Sequence, residues 1–384
     1  MPLDETPLVR VPGAPADAGL AHGRLIADQL KPGFLEPYLR GFCEIKRLTP
    51  DELGRQAEAW FASLPTHFQT EIDAMSSGAR AAAASVIEYL FADIAASGSP
   101  DRAGAAPREQ WGGWDPSAGQ QRPGDWERTT PRELVDGPMC SAMLLPGPRV
   151  ARNCDWYTHL LTRGTAAVLH DTPGRIATLA VGIFGDIDVD TGINAAGLWL
   201  HAHTLYAKPR ARTAKPRLSW LFWLRECLET CETLDEVDAM LARVERDRGI
   251  ILIAAETTTG RGAIFEATID EHTRDDMAGP MCATNHHRRK HPDDPARLAR
   301  SAPGSTTARY ERLRARTREG ADLVSAIAAE GVEMRTPKHL RTIYAATLEA
   351  AGPAPRLRFS AGRPDGTPAS SRGRWRDIPW PFAG

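Results

Sequence analysis

One short stretch, residues 136–156 with the sequence DGPMCSAMLLPGPRVARNCDW, constrains this chain more than any other. It places Cys140 at the start of an apolar run, and a Pro-Gly-Pro-Arg turn separates that run from a second strand-like segment. Two such runs around a tight turn predict a β-hairpin. The hairpin would bring Arg152 and Asp155 back beside Cys140, so that a thiol, a guanidinium and a carboxylate meet in one small volume.

This hairpin predicts a nucleophile with an unusual base. A nucleophilic thiol needs a nearby positive charge to lower its pKa and a base to accept its proton. Arg152 could supply the charge, but no histidine follows Cys140 before His159. If the chain were cleaved between Met139 and Cys140, the new α-amino group, with a pKa of roughly 8, could be the base. Asp155 would then hold that amine through a charge-assisted hydrogen bond.

The composition excludes several classes of function. The chain has 384 residues, of which 47 are basic and 49 acidic, so no bulk charge attracts nucleic acid or a membrane surface. No apolar stretch approaches the length of a membrane span, and the acidic N-terminal segment does not resemble a secretory signal. Six cysteines are too few for a disulfide scaffold and fit a reducing compartment. We therefore expect a cytoplasmic globular protein without nucleic-acid or membrane partners.

The order of the predicted elements indicates the fold class. Residues 16–96 carry apolar residues at helical spacing, and residues 97–135, rich in glycine, proline and tryptophan, predict a long surface loop. Strands are predicted at 140–145, 150–157, 165–170, 176–183 and 198–204, in a hairpin over 249–268, at 280–284 and in the tail at 357–380. Further helices are predicted at 216–231, 233–247, 307–318, 322–329 and 337–351. This order predicts sheet packed on sheet with helices outside.

Five motifs, taken in order, resemble one enzyme family. Cys140 followed by Ala-Arg-Asn-x-Asp-Trp resembles the N-terminal nucleophile (Ntn) amidohydrolases of the choloylglycine hydrolase superfamily. The motif is most similar to that of the peptidase C45 branch, which is named for acyl-CoA:6-aminopenicillanate acyltransferase. The four other matching stretches are 18–28 (AGLAHGRLIAD), 192–198 (GINAAGL), 283–287 (ATNHH) and 305–313 (STTARYERL). The resemblance spans about residues 16–315.

The resemblance implies an α+β fold, a four-layer αββα sandwich, and maturation by self-cleavage before Cys140. Residues 1–139, the helical segment and the loop, would become an α chain, and residues 140–384, the catalytic core, a β chain. The product would be an α/β heterodimer, with a higher oligomer also open. The implied activity is hydrolysis of, or acyl transfer from, a small linear N-acyl amide or acyl thioester through an acyl-thioester intermediate, without a cofactor or metal.

The resemblance also implies a role for each matching residue. Cys140 would be the nucleophile and, through its amine, the base, while Arg152 and Asp155 would orient the thiol and the amine. Asn285 would help to form the oxyanion hole, and Asn194 would be a second polar group lining it.

Arg309 would be a structural or polarising arginine near the nucleophile. Ordinary structural roles remain open for three of these residues. Asn194 could simply favour a turn, Asn285 could cap a loop, and Arg309 could pair with Glu311.

Other interpretations of the sequence stay open at this point. A papain-like thiol hydrolase would use His159, His170 or His286 as base and would not cleave itself. A binding protein could keep the fold without activity. Cys227 and Cys231, spaced by one helical turn, could form half of a zinc site, and Cys282, His286 and His287 could form the other half. Zinc sites usually show tighter paired signatures.

Overall fold

The computed structural model describes residues 8–46, 48–96, 139–205, 217–246, 249–269, 271–289, 306–335, 340–350, 355–363 and 365–382. Two large sheets pack face to face, and helices cover their outer faces. The predicted α+β sandwich is therefore confirmed. The predicted loop at 97–135 lies outside the described residues. Within the described part of the chain, no helix is both long and apolar enough to cross a membrane.

The first sheet has eight strands in the order β1-β4-β5-β6-β7-β10-β11-β12. All of its pairings are antiparallel except that between β1 and β4. Its strands are Leu8–Pro12 (β1), Thr165–Asp171 (β4), Thr178–Ile183 (β5), Thr191–Asn194 (β6), Leu198–Thr204 (β7), Ile250–Glu256 (β10), Gly262–Ala267 (β11) and His272–Asp276 (β12). Two short strands, Arg217–Leu218 (β8) and Glu245–Arg246 (β9), pair separately.

The second sheet has six strands in the order β13-β2-β3-β14-β15-β16, and all of its pairings are antiparallel. Its strands are Met139–Leu145 (β2), Arg149–Tyr157 (β3), Met281–Ala283 (β13), Leu340–Glu349 (β14), Arg356–Ala361 (β15) and Arg376–Ile378 (β16). The predicted hairpin is thus the β2–β3 pair, which lies near the centre of this sheet.

The helices lie on both outer faces of the sandwich. They are Pro15–Ile26 (α1), Pro32–Lys46 (α2), Pro50–Ser63 (α3), Thr66–Ala79 (α4), Ala83–Ala96 (α5), Trp220–Thr230 (α6), Leu234–Arg243 (α7), Thr306–Arg318 (α8) and Leu323–Ile327 (α9). Helices α6 and α7 contact strands of the first sheet, and α8 and α9 contact strands of the second. One apolar core includes residues of both sheets and of α1 to α7, and a second, smaller core fills the space under α8 and α9.

The first motif of the family resemblance lies in α1 and has a structural explanation. A Cβ on Gly19 would lie 2.1 Å from the Glu71 carbonyl oxygen, and one on Gly23 would lie 2.1 Å from the Met75 carbonyl oxygen. Gly78 of α4 approaches Leu20 of α1 in the same way. Only glycine allows two helix backbones to come this close. The small residues of this motif therefore set the packing of α1 on α4.

One predicted helix is wrong. Residues 337–351 carry four alanines and two leucines, which suited a helix, but 340–349 form β14 between β3 and β15. The stretch also contains Thr342, Ile343, Tyr344 and Thr347, which favour a strand. Pairing and burial between two partner strands therefore outweigh the helical propensity of the alanines and leucines. Helix α7 begins with a capping box between Thr233 and Glu236.

Candidate active site at the β2–β3 hairpin

Cys140 lies near the start of β2, with its side chain fully buried. The register of the hairpin pairs it with Cys154 and pairs Ala142 with Arg152. All four side chains share the inner face of the second sheet because side chains alternate along a strand. From this position Arg152 donates a hydrogen bond from Nη2 to the Cys140 sulfur at 3.4 Å.

The peptide unit of Cys140 is held by two residues from distant parts of the chain. Its backbone N–H donates to Asn285 Oδ1 at 2.7 Å, and its carbonyl oxygen accepts from Arg309 Nη1 at 2.5 Å. Arg309, which is fully buried, also donates to Ser141 Oγ at 2.8 Å and to Asn285 Oδ1 at 3.0 Å. The structure therefore brings Cys140, Asn285 and Arg309 together.

Asp155 lies on the other face of the same hairpin. Its register partner is Met139, so it sits opposite the peptide bond that precedes Cys140. Oδ1 accepts from Thr342 Oγ1 at 2.5 Å, whereas buried Oδ2 accepts no hydrogen bond from a described residue and lies 3.6 Å from Arg309 Nη1. A hydrogen-bond donor next to Asp155, such as an ammonium group, could donate to Oδ2.

Burial dominates the ionisation of Asp155. It raises the pKa of this carboxyl from 3.8 to about 7, against the opposing effects of Arg309, the Thr342 hydrogen bond and Arg152. The protonated form is therefore favoured in the uncleaved fold, and the carboxylate costs free energy there.

This pKa predicts a pH-dependent stability in the uncleaved chain. Because the folded-state pKa is raised, the contribution of Asp155 is fully present below about pH 4 and is lost as the pH rises through about 7. We expect the double variant Cys140→Ala/Asp155→Asn to gain in Tm relative to Cys140→Ala over that range. Thermal unfolding of the two proteins between pH 4 and 8 measures this. If the Tm of Cys140→Ala instead rose relative to that of the double variant with increasing pH, the attraction between Arg309 and the Asp155 carboxylate would outweigh the cost of burying that carboxylate.

Arg152 is itself oriented by residues that the sequence did not indicate. Its Nη1 donates to the Asp190 carbonyl oxygen at 3.0 Å and to Thr191 Oγ1, and lies 3.5 Å from the Asp190 carboxylate. The guanidinium carbon lies 5.2 Å from the centre of the Tyr344 ring, and the Tyr344 hydroxyl donates to the same carboxylate. Asp190 and Thr191 immediately precede the 192–198 motif. Their position next to this motif is the only feature of the sequence that could have indicated them.

Asn194 does not join this cluster, and its expected place in the oxyanion hole is corrected. Its Nδ2 donates to the carbonyl oxygens of Leu228 at 2.8 Å and Cys231 at 2.7 Å, and its Oδ1 accepts from the Leu198 N–H at 2.9 Å. These three bonds tie the end of α6 to the turn between β6 and β7. Asn194 is a structural residue here.

Other buried polar groups also lie in this region. Thr204 accepts from Asn285 Nδ2 through its carbonyl oxygen at 2.8 Å, and its own buried hydroxyl has no partner among the described residues. His201 and His203 share the inner face of β7, and burial first, then Arg152, lowers the pKa of each well below its ordinary value. Both are neutral, and the Nε2 atom of each has no hydrogen bond to a described residue.

No described histidine bonds the sulfur of Cys140. His286 Nδ1 lies 2.9 Å from Thr306 Oγ1 and 3.1 Å from Thr284 Oγ1. Burial lowers the pKa of His170 well below its ordinary value, and Arg225 and His22 lower it further. The side chain of His159 lies outside what the structure describes. Of the three histidines considered for a papain-like mechanism, the two that the structure describes, His170 and His286, form no hydrogen bond with the thiol.

The cysteines considered as zinc ligands lie apart. The Cys227 thiol donates to the Met240 sulfur at 3.2 Å under α7, whereas Cys282 contacts Thr317 of α8 at 3.4 Å. Among the described residues no group of three potential metal ligands occurs.

A small pocket adjoins the Arg152 network. Cys154, Asp190 and Tyr344 lie at its polar side. Most of its other walls are apolar and include Trp156, Leu160, Val168, Leu221 and Ile343. The lining includes Cys154 but not Cys140, so the pocket adjoins the candidate thiol through its register partner.

A family model described as acyl-coenzyme A:6-aminopenicillanic acid acyl-transferase matches residues 146–332. The match begins after Cys140 and includes Arg152, Asp155, Asn285 and Arg309. It confirms the resemblance drawn from the sequence motifs. No curated protein sequence matches the chain.

Several solved structures show a distant likeness. A mutant conjugated bile acid hydrolase from Clostridium perfringens is 11% identical over 64% of this chain and 97% of its own, with a TM-score of 0.38. A Caenorhabditis elegans orthologue of N-acylethanolamine-hydrolyzing acid amidase is 13% identical over 63% and 100%, with a TM-score of 0.40. Penicillin V acylase from Agrobacterium tumefaciens is 14% identical over 62% and 78%, with a TM-score of 0.37. Likeness at this level assigns no activity.

Proposed function

Because residues 146–332 relate this chain to the acyl-coenzyme A:6-aminopenicillanic acid acyl-transferase family of Ntn hydrolases, we propose that it is a self-cleaving amide hydrolase or acyltransferase. Cys140 is the nucleophile, and a linear N-acyl amide is the substrate. The observation that carries this proposal is the setting of Cys140. Its thiol faces Arg152, its N–H is held by Asn285, and no described histidine reaches the sulfur.

In the proposed maturation step, the Cys140 thiol attacks the carbonyl carbon of Met139. The carbon–nitrogen bond breaks, the acyl group passes to sulfur, and the nitrogen of Cys140 becomes a free amine after taking up a proton. Water then hydrolyses the thioester and frees the thiol. Asn285 Oδ1, which already accepts from this nitrogen at 2.7 Å, holds it in place as the amide becomes an amine.

In the proposed turnover, the amine of Cys140 accepts the thiol proton, and the thiolate attacks the substrate carbonyl. The leaving amine takes the proton, and water or an acceptor amine resolves the acyl-thioester. Asp155 Oδ2 has no hydrogen bond from a described residue, so it can accept one from the ammonium form. Burial and the hydrogen bond with Cys154 act in opposite directions on the thiol, and together with Arg152 the net effect lowers the pKa of Cys140.

Asn285 is the proposed donor to the oxyanion. A side-chain amide carries two N–H hydrogens, and one of those on Nδ2 points to the Thr204 carbonyl oxygen at 2.8 Å. The second remains for a developing negative charge. A donor of this kind contributes roughly 3 kcal/mol to transition-state stabilisation.

The two products of cleavage should remain together. Strand β1 pairs with β4 over five residues, and helices α1 to α5 share one apolar core with the strands of the catalytic part. We expect the 1–139 and 140–384 chains to purify as one α/β heterodimer and to separate only on unfolding.

The mass of the purified protein tests the proposal. We expect two fragments that divide between Met139 and Cys140, whereas a single 41.9 kDa species under all conditions would contradict self-cleavage. An intact chain that reacts with iodoacetamide at Cys140 would point to a thiol enzyme without maturation. The mature protein should then be assayed against N-acyl amines, starting with apolar acyl groups that match the pocket walls.

A further inference from the structure

The nucleophile of the proposed reaction has a second cysteine directly across the hairpin. Cys140 of β2 and Cys154 of β3 are register partners, and both thiols are buried on the same face of the sheet. Each thiol is a neighbour that shifts the pKa of the other. None of the six cysteines forms a disulfide in this structure.

The backbone hydrogen bonds of Cys140 show whether Cys140 and Cys154 are a hydrogen-bonded or a non-hydrogen-bonded pair of the ladder. Its N–H binds Asn285, which follows β13, the neighbour of β2 on the side away from β3, and its carbonyl oxygen binds Arg309 of α8. In an antiparallel ladder, a residue whose backbone groups point away from a neighbouring strand forms a non-hydrogen-bonded pair with that strand. The α-carbons of such a pair lie about 4.5 Å apart, with the side chains close together. This separation falls within the range of about 4.4–6.8 Å found for disulfides.

The two thiols are chemically unequal, as an attacking and a resolving cysteine should be. Arg152 lies 3.4 Å from the Cys140 sulfur and favours its thiolate. Burial, the hydrogen bond to Cys140 and the carboxylate of Asp190 raise the pKa of Cys154 well above its ordinary value. Cys154 donates to Asp190 Oδ2 at 3.3 Å and lines the pocket, which gives a small oxidant a route to the pair.

We propose that Cys140 and Cys154 are an oxidative modification site, at which a peroxide forms a reversible disulfide that blocks the nucleophile. The Cys140 thiolate attacks one peroxide oxygen, the O–O bond breaks, and the leaving hydroxide takes up a proton to become water. The resulting sulfenic acid is attacked by the Cys154 sulfur. The S–O bond breaks, the thiol proton leaves with the hydroxyl as a second water, and the S–S bond forms. Two thiols are oxidised while one peroxide is reduced.

Hydrogen peroxide, applied to the purified protein as it exists, tests this directly. We expect the protein to lose the mass of two hydrogens, and peptide mapping should recover the Cys140 and Cys154 peptides as one linked species. Turnover should be nearly abolished and should return with dithiothreitol. In Cys154→Ala, Cys140 should instead advance to the sulfinic acid, which dithiothreitol does not reverse. Cys282→Ala, which removes a buried cysteine on the other face of the sheet, should behave like the unchanged chain.

The loss of turnover rests on the proposed role of Cys140, but the disulfide itself does not. A linked peptide with full turnover would support the disulfide and remove Cys140 from the mechanism. Irreversible loss of turnover in the unchanged chain, with sulfinic acid at Cys140 and no linked peptide, would overturn the disulfide while leaving the nucleophile in place.

Discussion

Replacing Cys140 with alanine should leave a single uncleaved chain without measurable turnover. The change removes one sulfur atom, which is both the attacking atom of the proposed maturation step and the nucleophile of the proposed reaction. It also leaves residue 140 without a free amine, because the preceding bond stays intact. We expect turnover to fall by at least about 10⁴-fold, the scale seen when a covalent nucleophile is lost.

The fold should tolerate this change. Only the Sγ atom is lost from a buried site, so the free energy of unfolding should fall by about 1 kcal/mol. Cys282→Ala is the matched control because Cys282 is also buried and lies on β13, the strand next to β2. The Cys282→Ala protein should cleave itself and turn over substrate like the unchanged chain. Intact mass and turnover, measured on both variants, separate the outcomes, and activity in Cys140→Ala would show that another residue is the nucleophile.

The surroundings of Cys140 on the hairpin could be predicted from sequence because the information is local. A tight turn between two apolar runs fixes the β2–β3 register, and the register places Arg152 and Asp155 around Cys140. Asn285 and Arg309 are different, since they lie 145 and 169 residues away from Cys140 along the chain. No spacing rule reaches across such distances. Only the order of the family motifs suggested them.

The misplaced Asn194 shows where motif reasoning fails. The 192–198 motif correctly located strands β6 and β7, but a strand presents alternate residues to opposite faces, so one position decides the surroundings of a side chain. Thr191 faces Arg152 between the sheets, whereas Gly192 faces Leu228 of α6. Asn194 lies on the same side as Gly192 and bonds the end of that helix. Thr191, which the motif did not include, is the residue that reaches the site.

Replacing Arg309 with methionine should damage both the fold and the site. Its guanidinium joins helix α8 to strand β2, through the Cys140 carbonyl oxygen and Ser141 Oγ, and to the segment after β13, through Asn285 Oδ1. It also lies 3.6 Å from Asp155 Oδ2 on β3. Methionine fills similar space but donates no hydrogen bond. The acceptors would then stay buried without their partner, and removing one member of a buried ionic pair costs about 3–5 kcal/mol.

Arg312→Met is a sharp control for this change. Arg312 lies on the same helix but is exposed, and its side chain donates to the Glu330 carbonyl oxygen at 2.9 Å. We expect its effect on the free energy of unfolding to be within about 0.5 kcal/mol, as is usual for surface changes. Denaturant unfolding compares the two variants, and intact mass reports whether each one still cleaves.

A third variant, Arg309→Lys, separates charge from geometry. Lysine keeps the positive charge but lacks the planar fork that binds several acceptors at once. If geometry governs the site, Arg309→Lys should resemble Arg309→Met in self-cleavage while recovering part of the stability, because its charge still compensates Asp155. Full self-cleavage in both Arg309→Met and Arg309→Lys would show that Arg309 only supports the fold. Asn285 alone would then position the Cys140 peptide for attack.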